Sequence, residues 1–403
     1  MKSRYDRNML RINKTIIDVL NIFHENGHEA FVVGGCVRDT LLLRETHDID
    51  ISTSATMDDV KNIFKDQVIS DSGLEYQSLT VNFDDHIFQV TSYRKDSEYE
   101  FHRFPKTKKV VSYQEDVWRR DFTMNGLFWN PQKGLIDLVN GLDAINKRQI
   151  KTIDDPLLRF DEDALRILRA VRFACELDFD IETNTYNAMF DKAHLIKSLS
   201  RERITQEMIR AFKGIAFEKH LKTIRLLFEK VFYFDYYYEH FTLFPTTHPL
   251  VSFILTFKSK SIPFSDTLSY FSFSKKEKEL LLCISENSFH CPTNDKTHIK
   301  YLLQRCNLDS FGGICQLHQS IGNLSDIAFQ DIMTQVQSIH LNEEPYLLAH
   351  LKIKGDECVK RKMELTQISS FLKACIDEVI EQPELNTFEH LSEKLDQWIQ
   401  KQT

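Results

Sequence analysis

Asp48 and Asp50 stand two residues apart in the run His47, Asp48, Ile49, Asp50, Ile51. In an extended strand that spacing points both carboxylates to one side while Ile49 and Ile51 face the other. Paired carboxylates repel each other unless a cation lies between them. A hard divalent ion such as Mg²⁺ accepts this all-oxygen setting and keeps positions open for water and substrate phosphates. Just upstream, Phe31, Val32, Val33, Gly34, Gly35, Cys36, Val37, Arg38, Asp39 reads as a buried strand, a glycine turn and a helix start. Glycines allow close approach of backbone to a triphosphate, free N–H groups face it, and Arg38 adds a forked donor. A second constellation, Arg119, Arg120, Asp121, Phe122, Thr123, Met124, Asn125, sets adjacent arginines beside an acid and an amide, groups suited to phosphate and ribose hydroxyls.

Further on, the segment Arg159 to Arg172 (RFDEDALRILRAVR) reads as one helix, with Asp163 and Arg166 neighbours on a single face. Such a pair is either a plain ion pair or a base-reading edge. A carboxylate accepts from an exocyclic amine and a guanidinium donates to ring nitrogen or carbonyl oxygen. Cytosine and adenine both present amine beside acceptor, whereas guanine and uracil would leave polar groups unpaired. Arg169 and Arg172 continue at the same spacing and are candidates to hold a triphosphate or an RNA end.

The elements that must position these groups belong to a chain of 403 residues, 42% hydrophobic and 27% charged, an ordinary globular composition that excludes disorder. Met9, Ile12, Ile16, Val19, Leu20 and Phe23 predict a helix over residues 7 to 27, with Gly27 as its cap. Short β-rich runs follow at 30–33, 49–52, 79–83, 87–93 and 135–140, and after Asp154, Asp155, Pro156 the periods become helical to the end. The fold class expected is α+β, an N-terminal mixed sheet followed by an all-α remainder. No apolar run approaches the roughly 18 residues of a spanning helix, and eight scattered cysteines without a CxxC pair suggest reduced thiols rather than disulfides or zinc. A soluble cytoplasmic protein is expected. The net charge of −8 excludes coating of nucleic acid by total charge but leaves room for local basic surfaces. Lys197, Arg201, Arg203, Arg210 and Lys213 form one such stretch, and Lys106, Lys108 and Lys109 another.

Taken together, these runs resemble the class II tRNA nucleotidyltransferases, the CCA-adding enzymes with their bacterial poly(A) polymerase relatives in the polymerase β superfamily. GGCVRD and DIDISTSA resemble the first family motif, RRDFTMN the ribose and phosphate motif, RFDEDALRILRAVRF the templating helix, and SRERITQE (200–207) the neck motif that braces it. The resemblance implies a nucleotidyltransferase head (1–150), a neck that recognises bases (151–215), a body (216–334) and a tail that binds tRNA (335–403). It implies metal ions, Mg²⁺, at Asp48 and Asp50, and addition of C, C and A to a tRNA 3′ end from CTP and ATP. Gly35, Arg38, Arg120, Arg169 and Arg172 would contact the nucleotide, and Asp163 and Arg166 would read its base. The oligomeric state stays open, a homodimer being one option. Gln89 stands where the family strand carries an acid, Gly126 follows RRDFTMN where Ala is usual, and the tail matches poorly. Two alternatives therefore stand beside full CCA addition: a relative that adds only CC, only A or a poly(A) tail, and a catalytically reduced RNA-binding homologue.

Overall fold

The computed structural model describes residues 13–46, 49–71, 74, 77–100, 104–109, 112–233, 235–242 and 247–400, with the backbone alone for 95–100 and 104–109. Asp48 and His47 lie outside the described residues, as do Met9 and Ile12 of the expected first helix. The chain forms two compact units, Met1–Tyr233 and Phe234–Thr403.

The first unit opens with α1 (Lys14–Glu25), whose Ile16, Val19, Leu20 and Phe23 form its buried stripe. Asn13 caps its start by accepting from the Thr15 N–H, and Gly27, at φ +78°, ends it. The strands that follow are β1 (Ala30–Val33), β2 (Ile49–Thr53), β3 (Val68–Ser70), β4 (Ser78–Phe83), β5 (His86–Ser92), β6 (Arg94–Glu100), β7 (Phe104–Lys109), β8 (Leu127–Asn130) and β9 (Gly134–Asp137). Seven of them form one sheet in the order β3-β4-β5-β2-β1-β8-β9, while β6 and β7 pair as a separate hairpin. Only β2 and β5 run parallel within the large sheet, so it is mixed, as expected. Its interior is built by Phe31, Val33, Tyr93, Val117 and Phe128, all nearly or wholly removed from water.

Between the strands run α2 (Gly35–Leu41), α3 (Met57–Phe64), α4 (Tyr113–Asp116) and α5 (Gly141–Asn146). The helical part of the first unit then comprises α6 (Pro156–Glu162), α7 (Leu165–Leu177), α8 (Thr183–Asp191), α9 (Arg201–Phe212) and α10 (Phe217–Phe232). A two-residue parallel ladder, β10 (Gln149–Ile150) with β11 (Asp180–Ile181), ties the end of the sheet region to these helices. The helix expected to run unbroken from Arg159 to Arg172 is two helices. Asp163 adopts an extended backbone (φ −142°, ψ 101°), and its Oδ1 accepts from the Leu165 N–H at 3.0 Å. Aspartate competes well for free amides at a helix start, so the local sequence that reads as helix interior resolves into a stop and a restart.

The far end of α7 is fixed by backbone packing. The Ala216 N–H donates to the Cys175 carbonyl at 3.0 Å, and a β-carbon at Gly214 would lie 2.4 Å from the Cys175 carbonyl carbon. No side chain fits there.

The second unit is all helix among the described residues, from α11 (Pro249–Phe257) through α12 (Phe264–Thr267), α13 (Lys275–Asn287), α14 (Lys296–Arg305), α15 (Leu308–Ser320), α16 (Asp326–Leu341), α17 (Gly355–Lys360) and α18 (Leu365–Glu381) to α19 (Phe388–Gln400). Phe371, Cys375, Ile376, Val379, Leu391 and Leu395 form a dry cluster between its last helices. The eight cysteines are free thiols, and no described helix is long and apolar enough to cross a membrane.

Candidate active site

Gly34 sits between β1 and α2 at φ +68°, ψ −132°, a conformation open in practice to glycine alone. A β-carbon at this position would lie 3.6 Å from Arg120 Nη1 and 3.8 Å from Asp50 Oδ2, so the turn brings the two expected constellations to one point. Asp50 is exposed on β2 between buried Ile49 and Ile51, which is the alternation that strand spacing predicts. Its register partner on β5 is Gln89, also exposed, whose own partner on β4 is Thr80. Thr80 Oγ1 donates to Gln89 Oε1 at 3.3 Å, giving a row of oxygen-bearing side chains across the sheet with Asp50 the only carboxylate in it.

These groups open onto a cavity of about 690 Å³ within the first unit. Gly34, Gly35, Arg38, Asp50, Arg119, Arg120, Asp121, Asn125, Asp163, Arg166, Arg169 and Arg172 all line it, together with Arg203 and Arg210 of α9. Every described residue expected at the site is therefore at this one cavity. Nine arginines against six carboxylates line it, which makes it a locally cationic chamber in an acidic chain.

Burial decides which arginines are free to move. Arg38 is 5% exposed, and desolvation lowers its pKa against the opposing pull of Asp39. It donates to both oxygens of Asp39, at 2.9 and 2.8 Å, and to Asn125 Oδ1 at 2.7 Å. Asn125 in turn donates to Asp121 at 3.0 Å, and Asp121 accepts two bonds from Arg169, at 2.8 and 2.6 Å. Burial alone would raise the Asp121 carboxyl, but the Arg169 guanidinium, the Asn125 amide and the Phe122 N–H outweigh it and hold the group far below the usual carboxylate range. The acid and amide of the RRDFTMN run thus spend their hydrogen bonds on bracing arginines. Phe173, on α7, completes the arrangement, its ring centre lying 4.9 Å from the Arg38 guanidinium carbon, 5.2 Å from that of Arg169 and 4.0 Å from that of Arg172. One aromatic ring lies within cation–π distance of three cations that would otherwise repel.

Asp116 anchors the other pair of arginines, and the sequence reading passed over it. Completely buried at the end of α4, it binds Arg119 Nε at 2.8 Å, Arg120 Nη2 at 2.9 Å and Ser52 Oγ at 3.2 Å. Burial pushes its carboxyl up, and the charges of Arg119 and Arg120 more than reverse this, bringing it down to about 2. The signal was present as an acid three and four residues ahead of two arginines.

At the neck, Arg166 is buried and its guanidinium is oriented by Glu162 at 2.7 Å, the Arg159 carbonyl at 3.0 Å and the Arg119 carbonyl at 2.8 Å. Asp163 uses Oδ1 to start α7, while its Oδ2 makes no hydrogen bond among the described residues. Arg172 bonds Glu207 at 2.6 Å and Glu176 at 2.9 Å, so the SRERITQE helix α9 clasps α7 through a nearly buried ion pair.

Residues 30–151 match the family described as poly A polymerase head domain, and residues 178–229 the family described as probable RNA and SrmB- binding site of polymerase A. A CCA-adding enzyme of Bacillus pumilus is 41% identical over 209 residues, 52% of this chain and 52% of that protein. One from Staphylococcus aureus is 40% identical over 223 residues, 55% of each. By these alignments the chain spans about half the length of the curated relatives it matches. Among solved structures, the Bacillus stearothermophilus CCA-adding enzyme in complex with CTP shares the fold at TM-score 0.81 with 23% identity, over 96% of this chain and 98% of that one. The Thermotoga maritima CCA-adding enzyme complexed with tRNA shares it at TM-score 0.65 with 17% identity, over 96% and 97%. From the glycine turn through the arginine-braced cavity to the clasped helix α7, the first unit is similar to the poly(A) polymerase head family and to CCA-adding enzymes, and the whole chain shares the CCA-adding enzyme fold.

Proposed function

We propose that this protein adds C, C and A to the 3′ end of tRNA from CTP and ATP, in the cytoplasm and without a nucleic-acid template. The observation that carries the proposal is the convergence of Asp50, Gly34 and Arg120 in the head with Asp163 and Arg166 of the neck on one cationic cavity. The family uses a divalent metal ion. Mg²⁺ is the ion proposed here, and the donor chemistry suits it: Asp50 projects from the sheet with the oxygen-bearing Gln89 in register beside it, and Asp48 precedes it by two residues. When bound, such an ion activates the terminal 3′-hydroxyl and stabilises the leaving pyrophosphate.

The chain's own residues do the rest. Gly35, Arg38 and Arg120 receive the triphosphate, with Arg169 and Arg172 held behind Arg38 on the Phe173 ring. Asp163 Oδ2 accepts from the exocyclic amine of cytosine or adenine, and Arg166, fixed by three partners, donates to the adjacent ring acceptor. Because the fork of Arg166 cannot turn into an acceptor, guanine and uracil would meet like with like. Contacts of the second unit with the body of the tRNA complete the proposal.

The test is extension of tRNA transcripts ending at the discriminator base, after one C and after CC, with each nucleotide supplied separately with Mg²⁺ and the products sequenced. Ordered addition of C, C and A that stops, and is lost in Asp48→Ala and Asp50→Ala, is expected. CC alone, A alone, a long A tail or tRNA binding without incorporation would replace this reading with the specialised or the catalytically reduced one.

A further inference from the structure

We infer that Asn125 is a positioning residue that locks the triphosphate arginine of the head to the neck, so that phosphate contact and base reading are brought into register by one amide. The inference rests on the nucleotidyl-transfer reading and goes beyond it, since Asn125 would touch no substrate.

Asn125 is 6% exposed and lies in the 3₁₀ turn Thr123–Asn125. Its two amide ends serve groups of opposite kind. Oδ1 accepts from Arg38 Nη1 at 2.7 Å, and Nδ2 donates to Asp121 Oδ1 at 3.0 Å. A guanidinium can only donate and an ionised carboxylate can only accept, so the amide has a single productive orientation. Through it an unbroken chain of hydrogen bonds runs Asp39, Arg38, Asn125, Asp121, Arg169, from α2 of the head to α7 of the neck. Arg169 lies about one turn beyond Arg166 on α7, the helix that Asp163 starts. Asparagine is the side chain of this size that presents an acceptor to Arg38 and a donor to Asp121 at once. Alanine offers neither, and aspartate offers only acceptors while it is ionised.

Asn125→Asp therefore turns the link into a pH-dependent one. Protonated, the new carboxyl donates its O–H to Asp121 and keeps its carbonyl for Arg38, reproducing the amide. Ionised, it stands against Asp121, and the link to the neck breaks. The charged groups facing this position are Arg38 and Asp39 from α2, Asp121 from its own loop and Arg169 from α7, with Arg172 acting on Arg38 from beyond. Asp143 of α5, which packs on the same turn, points to solvent and pairs with Lys147.

The experiment measures binding of CTP and ATP to the full chain by fluorescence, and single-nucleotide incorporation across pH 5.5 to 8.5, in wild type, Asn125→Ala and Asn125→Asp. Thermal melts of each variant report folding separately. We expect Asn125→Ala to raise KM for both nucleotides by about tenfold, with a smaller effect on kcat. Asn125→Asp should approach wild-type KM at the acid end and lose affinity as pH rises, a slope that wild type lacks. Wild-type affinity in folded Asn125→Ala, or a flat ratio of Asn125→Asp to wild type across pH, overturns the inference alone. A wild-type protein that binds neither nucleotide overturns the nucleotidyl-transfer reading as well, and the two failures are thereby distinguished.

Discussion

Replacing Asp116 by asparagine keeps the side chain's volume, removes its charge and leaves Arg119 and Arg120 without their shared anion. Both arginines are largely buried, their side chains 15% and 13% exposed, so water replaces little of the lost partner. The carboxyl's descent from an ordinary 3.8 to about 2 in the folded protein corresponds to about 2 kcal/mol of stability. Stranding a charged partner can raise the cost to about 3–5 kcal/mol. Because the folded value is depressed, this stability is fully present above pH 3.8 and is lost as pH falls towards 2. Asp116→Asn should therefore be less stable than its parent by about 2 kcal/mol or more at pH 7, by the same margin at pH 5, and by a shrinking margin below pH 4. Urea unfolding followed by tryptophan fluorescence in a Trp398→Phe background reads this directly, since Trp118 and Trp129 both lie in the first unit. A difference below about 1 kcal/mol at pH 7, the scale of a solvent-exposed pair, or a margin that closes between pH 7 and 5, would refute the account of Asp116 as a buried, doubly paired anion.

Gly34→Ala places a β-carbon where space is ordinary but the backbone is not, and should cost about 1–3 kcal/mol in thermal unfolding while lowering incorporation through Asp50 and Arg120. Unchanged melting would contradict the strained turn. Arg166→Lys keeps the charge and loses the fork, so preference for CTP over UTP should fall by about tenfold or more in kcat/KM; retained preference would remove Arg166 from base reading. Gln89→Glu sets a second carboxylate in register beside Asp50 and should tighten Mn²⁺ binding by about tenfold, since ligand charge tunes affinity in such sites. Free Mn²⁺ measured by electron paramagnetic resonance checks this without reference to activity, and unchanged binding would place Gln89 outside the metal's reach.

The parts legible in the sequence are those whose meaning is local. A glycine pair after an apolar strand, Asp50 between two isoleucines and an RRD run all occupy the cavity that their types suggest. The break at Asp163 was hidden because helix periodicity continues on either side of it, and only the carboxylate's bond to the Leu165 amide reveals the restart. Leu127 to Asn130 is buried on every residue, so it shows no alternation by which to read β8 as a strand. The anchoring role of Asp116 and the bracing role of Asn125, a residue legible in sequence only as an amide suited to phosphate or ribose, are hidden for another reason. Each matters through a partner far along the chain, Ser52 for the one and Arg38 for the other, and no spacing rule reaches across 64 or 87 residues. The same holds for Phe173, an apolar helix residue like its neighbours until the fold stands three arginines around it.

The missing side chain at Gly214 has a consequence for the accuracy of the product. Helix α7 spans 13 residues, about 20 Å at 1.5 Å per residue, with Asp163 and Arg166 at one end and Cys175 wedged against Gly214 at the other. A rigid rod held by backbone contact at its tail works as a lever: a methyl group at position 214 must displace that tail, and the displacement is delivered to the residues that choose the base. In the proposed reaction such a lesion would leave the cavity's own residues untouched and would surface as wrong letters at the ends of tRNA. In that proposed reaction, fidelity would be partly stored at a backbone contact away from the nucleotide.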